Sequence, residues 1–165
     1  MCSSDLMKKV LILTAGFGEG HNAAARHLRD ALELISPDTQ VEVLDLFEST
    51  YGRLNALVKR AHLGVVRYAP TLWRGIYTLL DHVSVADSGV GGLTRLRTAL
   101  GDVLRVTQPD VVVSTYPAYA PVIKELFRDH SEKPFRLVTI VTDSISVNAA
   151  WHRAPSDAFV VANRP

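Results

Sequence analysis

Cysteine is nearly absent: Cys2 is the sole thiol in 165 residues, so no disulfide framework holds the fold and a reducing, cytoplasmic compartment is expected. Long apolar runs are missing too. None approaches the ~20 residues that a membrane-spanning helix needs, and no charged-then-apolar signal peptide opens the chain. Net charge is only +1, which gives no global case for nucleic acid. His27, His62, His82, His130 and His152 show no metal-ligand spacing with Asp, Glu or one another, so no metal is assigned. There is no internal repeat and no low-complexity segment. What is left is an ordinary globular composition, 47% hydrophobic and 21% charged, long enough for one domain with a sizeable core.

The chain is organised around Lys8 to Ala25. Val10 to Leu13 is a continuous apolar run that suits a strand buried on both faces of a parallel sheet. Gly16, Gly18 and Gly20 follow within five residues, where the backbone is expected to turn sharply and approach a ligand closely. After Asn22 the period changes: Ala24, Leu28, Ala31, Leu32 and Ile35 recur at helical spacing. Strand, glycine-rich turn and helix N-terminus together make a site for a phosphate or an oxyanion, with His21 at its mouth. A dinucleotide fingerprint fails because His21 stands where its third glycine belongs, although Asp45 closes the second strand as a ribose-binding acid would. A P-loop is excluded, since no Gly-Lys-Ser/Thr follows the glycines.

Further along, Ser36-Pro37-Asp38 is turn chemistry and Val41 to Phe47 reads as the second strand. Residues 49–92 are less regular. Between Glu48 and Asp81 no acid occurs, while Arg53, Lys59, Arg60, Arg67 and Arg74 do, so the positive charge is concentrated here and the rest of the chain is net negative. Apolar positions, with Trp73 and Tyr77, fit two amphipathic helices broken at Tyr68-Ala69-Pro70. Two readings stay open on the residues alone: core-packing helices with solvated basic faces, or an interfacial contact with an anionic membrane. Leu93 to Val106 is a helix stopped by Gln108-Pro109, and Asp110 to Thr115 a buried strand turned by Tyr116-Pro117. Ala118 to Arg128 is a helix, Arg136 to Val141 a third apolar strand, and Asp157 to Ala162 a last one. The alternation predicts an α/β, Rossmann-like, mostly parallel doubly wound sheet.

In such sheets ligands sit beyond the carboxyl ends of the strands. Those ends supply Gly16 to His21, Ser114 to Pro117, and Thr142-Asp143, three segments that can converge on one cleft. A neutral imidazole beside a carboxylate, near N–H groups that tolerate negative charge, takes a proton from an alcohol. A helix N-terminus disfavours imidazolium and keeps His21 in its basic form. The plainer alternative is that His21 only caps the helix and Asp143 only caps a turn.

Gly16-Phe17-Gly18-Glu19-Gly20-His21 with Ala24-Ala25 resembles the glycine-rich segment that opens the monogalactosyldiacylglycerol synthase and diacylglycerol glucosyltransferase family. Pro109 to Pro117 is similar to that family's Pro-Asp-hydrophobic-Ser/Thr strand, and Val141-Thr142-Asp143 with Trp151 to its Val-Thr-Asp…Trp segment. The resemblance implies the N-terminal, lipid-acceptor half of a GT-B glycosyltransferase. Such an enzyme moves a hexose from a UDP-sugar to the free hydroxyl of diacylglycerol at the membrane surface. It implies that His21 is the catalytic base and Asp143 the acidic group near it. Gly16, Gly18, Glu19, Gly20 and Asn22 would form the acceptor and phosphate loop, joined by Thr115, Tyr116, Pro117, Asn148 and Trp151. Asn148 stands roughly where relatives often carry a histidine. Arg53, Lys59, Arg60, Arg67, Trp73 and Arg74 fall where the family meets anionic lipid. No cofactor is implied; the UDP-sugar is a substrate held mainly by a C-terminal domain that this chain lacks, so the chain alone is expected not to turn over.

Two other readings share these features: a GT-B transferase for another lipid-linked acceptor, such as a peptidoglycan precursor, and a non-catalytic lipid-surface binding module. Residues 1–6 read as a non-native leader before Met7, and 7–165 as the Rossmann-like acceptor domain, with 49–92 its membrane-facing region. The stop at Asn163-Arg164-Pro165, just after an apolar strand, reads as a fragment. A location peripheral to the inner face of the membrane is expected.

Overall fold

The computed structural model describes residues 7–52, 91–130, 132–143, 151–152 and 155–162. The proposed leader, Asn148 and the basic residues Arg53 to Arg74 lie outside the described residues. Five strands form one sheet in the order β2-β1-β3-β4-β5, every neighbouring pair parallel. They are β1 (Lys9–Thr14), β2 (Gln40–Asp45), β3 (Val111–Ser114), β4 (Arg136–Val141) and β5 (Ala158–Val161). Three helices have described bounds: α1 (Glu19–Ile35), α2 (Gly91–Thr107) and α3 (Tyr119–Leu126). The α/β, Rossmann-like expectation holds.

The apolar run in β1 is explained by its place in the sheet. Paired with β2 on one side and β3 on the other, it is covered on both faces, so Leu11, Ile12 and Leu13 are all buried. Leu11 and Leu13 pack with Leu96, Leu100 and Leu104 of α2 and Ala120 and Ile123 of α3. Ile12 points the other way, to Ala25 and Leu28 of α1. The sheet is therefore doubly wound, and the chain reverses its direction of travel between β1 and β3.

Three local expectations are corrected. The second strand ends at Asp45, not Phe47, and residues 46–52 are helical. The reason is Asp45 itself: its Oδ1 accepts the Glu48 N–H at 2.9 Å, an N-cap that ends the strand and starts the helix. The first helix begins at Glu19, so His21 lies within its first turn. Its inward stripe is also shorter than the spacing suggests, with Ala31 exposed and Ile35 75% exposed. A 17-residue helix is ~25 Å long against ~20 Å for a six-residue strand, so its end outruns the sheet it covers.

The edge strand β5 is exposed along its whole length, and its pairing with β4 is anchored at its start by a carboxylate. Asp157 Oδ2 accepts the Leu137 N–H at 2.6 Å and the Lys133 ammonium at 3.0 Å. The Leu137 hydrogen bond, then Lys133, hold its carboxyl below the ordinary value of 3.8. A depressed acid contributes stability that is complete above its ordinary value and is lost as pH falls through the folded one. Acidification below about pH 4 should thus release β5 before the core. Amide exchange of Val160 and Val161 should rise there relative to Leu11 and Leu13, and in Asp157→Asn that pH dependence should vanish. Exchange in all four that rises together would show β5 is not separately held.

Candidate functional site

The carboxyl ends of β1, β3 and β4 converge on one imidazole, as the positions of the three sequence segments suggest. His21 is carried by the first turn of α1, whose N-cap, Gly18, is extended and supplies no side-chain cap. Its Nδ1 lies 2.8 Å from the Thr115 carbonyl oxygen after β3 and 2.7 Å from the Thr142 hydroxyl after β4. A carbonyl oxygen only accepts, so Nδ1 carries the proton and the lone pair sits on Nε2. Burial lowers the imidazole pKa from its ordinary 6.5, outweighing the Thr115 hydrogen bond and the Asp143 charge, which raise it. At neutral pH the ring is therefore an uncharged base with Nε2 as its basic atom.

Asp143 lies close enough to act on His21 through its charge, but its carboxylate is engaged elsewhere. Oδ2 accepts the indole N–H of Trp151 at 2.6 Å. Trp151 is 1% exposed and its ring sits 6.1 Å from the imidazole centroid. The group that orients His21 is thus an oxygen pair, Thr115 carbonyl and Thr142 hydroxyl. The sequence reading placed Thr142 at a converging strand end but did not assign it to the site. The signal was present, because a hydroxyl directly precedes Asp143 at a strand end.

The turn after β1 is built differently from expectation. Gly18 is extended, and among the described residues Gly52 is the only glycine with positive φ, so the turn does not depend on left-handed glycine. It is held instead by Asp45, whose Oδ2 accepts the Gly16 N–H at 2.8 Å. That carboxylate, spent on Gly16 and Glu48, has a structural task in place of the ribose contact that a dinucleotide reading would give it. A Cβ at Gly20 would meet nothing within 4 Å, and one at Gly18 only His21 Cδ2 at 3.9 Å. These glycines keep the surface over the helix N-terminus bare. Glu19 points away into an exposed ion pair with Arg26 at 3.3 Å. Asn22 Oδ1 accepts the Thr14 hydroxyl at 3.0 Å, which ties α1 to the end of β1.

Beneath the site, Tyr119 acts as a staple. Its hydroxyl donates to the Thr14 carbonyl at 2.7 Å and accepts the Leu46 N–H at 3.2 Å. Burial pushes its pKa up, so the phenol keeps the proton it donates. Tyr116 meets His21 edge-on at 5.1 Å and stacks on Phe17 at 5.6 Å, and Phe47 closes against both. Phe17 and Phe47 were not singled out in the sequence, where their spacing carries no periodic signal. Pro117, half-buried, follows Tyr116 at the same end of the sheet. Among the described residues no three His, Cys, Asp or Glu side chains gather into a metal-binding group, and no helix is long and apolar enough to cross a membrane.

Residues 21–164 match the family model described as monogalactosyldiacylglycerol (MGDG) synthase. A processive diacylglycerol beta-glucosyltransferase of Bacillus cereus (strain B4264) is 28% identical over 158 residues, 93% of this chain and 38% of that protein. The uncharacterized glycosyltransferase YkoN of Bacillus subtilis (strain 168) is 32% identical over 94% of this chain and 41% of its own length. Monogalactosyldiacylglycerol synthase 1, chloroplastic, of Arabidopsis thaliana is 28% identical over 90% of this chain and 28% of that protein. The chain thus spans about two-fifths or less of these relatives. No solved structure matches.

Proposed function

The chain belongs to the MGDG synthase family, and we propose that it is the acceptor half of a glycolipid synthase moving a hexose from a UDP-sugar to diacylglycerol at a membrane surface. The observation that carries this reading is the state of His21: neutral, with Nδ1–H held by Thr115 and Nε2 left as the base. Nε2 takes the proton from the acceptor hydroxyl as that oxygen attacks the anomeric carbon of the sugar and the UDP leaves. The bare N-terminus of α1 stabilises the negative charge that develops on the departing diphosphate. The donor nucleotide is held mainly by the part of the enzyme that the longer relatives have and this chain does not cover.

The acceptor is a diacylglycerol or a similar lipid, delivered from an anionic membrane. The names of the Bacillus cereus and Arabidopsis relatives and the basic, aromatic composition of residues 53–74 support that choice. The direct test is transfer of labelled hexose from UDP-glucose or UDP-galactose to diacylglycerol in phosphatidylglycerol vesicles by the enzyme that carries this chain. No labelled glycolipid with either donor would refute it. Reversing the charges of Arg60 and Arg67 should weaken binding to those vesicles by about 1 kcal/mol per residue, less at high salt. Unchanged, salt-insensitive binding would return residues 53–74 to an ordinary core-packing role.

A further inference from the structure

We propose that Thr142 is a positioning residue for His21, its hydroxyl oxygen serving as the second acceptor of the Nδ1–H and setting the direction of the Nε2 lone pair. This rests on the reading of His21 as the proton acceptor. The argument is one of counting hydrogens. Two oxygens lie within 2.8 Å of Nδ1, and the Thr115 carbonyl has no hydrogen to give. Were Nδ1 unprotonated, its lone pair would face that carbonyl oxygen at hydrogen-bond distance, two acceptors with nothing between them. With the proton on Nδ1, the Thr142 hydroxyl presents its oxygen, and the N–H is shared between the two in a three-centre bond.

The two acceptors come from different places in the sheet. Thr115 follows β3, whereas Thr142 follows the neighbouring strand β4. A single acceptor leaves an imidazole free to pivot about one N–H···O axis. Two acceptors from different strands narrow the ring to one orientation. Because both oxygens carry partial negative charge, they also favour the imidazolium that forms when Nε2 takes a proton, partly offsetting the desolvation of a half-buried ring. A carboxylate would do this more strongly, but Asp143 is turned to Trp151 and reaches His21 only through its field. The other titratable group set against the ring is Tyr116, edge-on to it.

The test pairs Thr142→Val, which keeps the shape and removes the oxygen, with Thr142→Ser, which keeps the oxygen. In the enzyme that carries this chain, Thr142→Val should lower kcat by about tenfold with little change in KM, and move the acid limb of the pH–rate profile to lower pH. Thr142→Ser should restore both. Nitrogen-15 NMR of the 165-residue chain, with the ring assigned by its loss in His21→Gln, should show Nδ1 protonated and Nε2 bare in the wild type. The same titration should show His21 protonating at lower pH in Thr142→Val than in wild type. An Nε2–H tautomer, or a Thr142→Val chain that titrates and turns over like wild type, would overturn the proposal. The NMR arm needs no substrate, so a ring that behaves as described in an enzyme without glycosyl transfer refutes the function while leaving the positioning role intact.

Discussion

Replacing His21 with alanine should reduce turnover by about 10²–10⁴-fold, the range that a general base contributes, while leaving the chain folded. The fold is spared because the imidazole is half-buried at the first turn of α1 and no core cluster includes it. The Thr115 carbonyl and Thr142 hydroxyl lose only the ring nitrogen they share. Wild-type rates should fall as pH drops through the His21 pKa, which burial places below the ordinary 6.5, and this limb should vanish in His21→Ala. Folding stability follows the same sign. A histidine that prefers to be neutral in the folded state contributes stability that is full above its ordinary value and declines at lower pH. Steady-state kinetics from pH 5 to 8 check the rates and urea midpoints over the same range the stability; turnover of His21→Ala within tenfold of wild type would remove the base role.

Trp151→Ala should cost about 3–5 kcal/mol of folding stability, the usual loss when a fully buried aromatic is truncated. The indole is 1% exposed and donates to Asp143, so its removal both opens a cavity and leaves that carboxylate without its donor. Trp151→Phe separates the two effects. It refills most of the cavity but restores no N–H, so it should recover most of the stability while Asp143 is still released. If Asp143 serves the site by standing fixed near His21, Trp151→Phe should lower kcat and shift the acid limb even though the chain is well folded. Urea midpoints at an unchanged denaturant slope measure the first effect, and pH–rate profiles the second. A Trp151→Ala chain within 1 kcal/mol of wild type would mean that the indole supports nothing.

The Asp143–Trp151 pair illustrates how two residues read separately in the sequence prove to be hydrogen-bond partners in the fold. Asp143 and Trp151 were both named from their resemblance to a family segment, one as acid and one as acceptor contact. Their mutual hydrogen bond is not legible from a sequence separation of eight residues. Thr142 was overlooked for the same reason. A threonine ending a strand is ordinary in sequence, and only the fold brings an imidazole within 2.7 Å of it, across 121 residues.

The local pattern alone determined the α/β class, the parallel sheet and β4 to the residue. Those features follow from hydrophobic period and turn chemistry, which act over a few residues. His21 as the centre of the site was legible for a related reason, since a glycine-rich link between a buried strand and a helix leaves its first turn uncovered. Tertiary structure decided what each polar group does. Asp45 could bind a ribose or cap a helix until Gly16 and Glu48 claimed its two oxygens. His21 could hold its proton on either nitrogen until a carbonyl from β3 settled which. Polar groups are satisfied by whichever partner the packed sheet brings within about 3 Å, and that partner is set by strand order and register, which no short stretch of sequence contains.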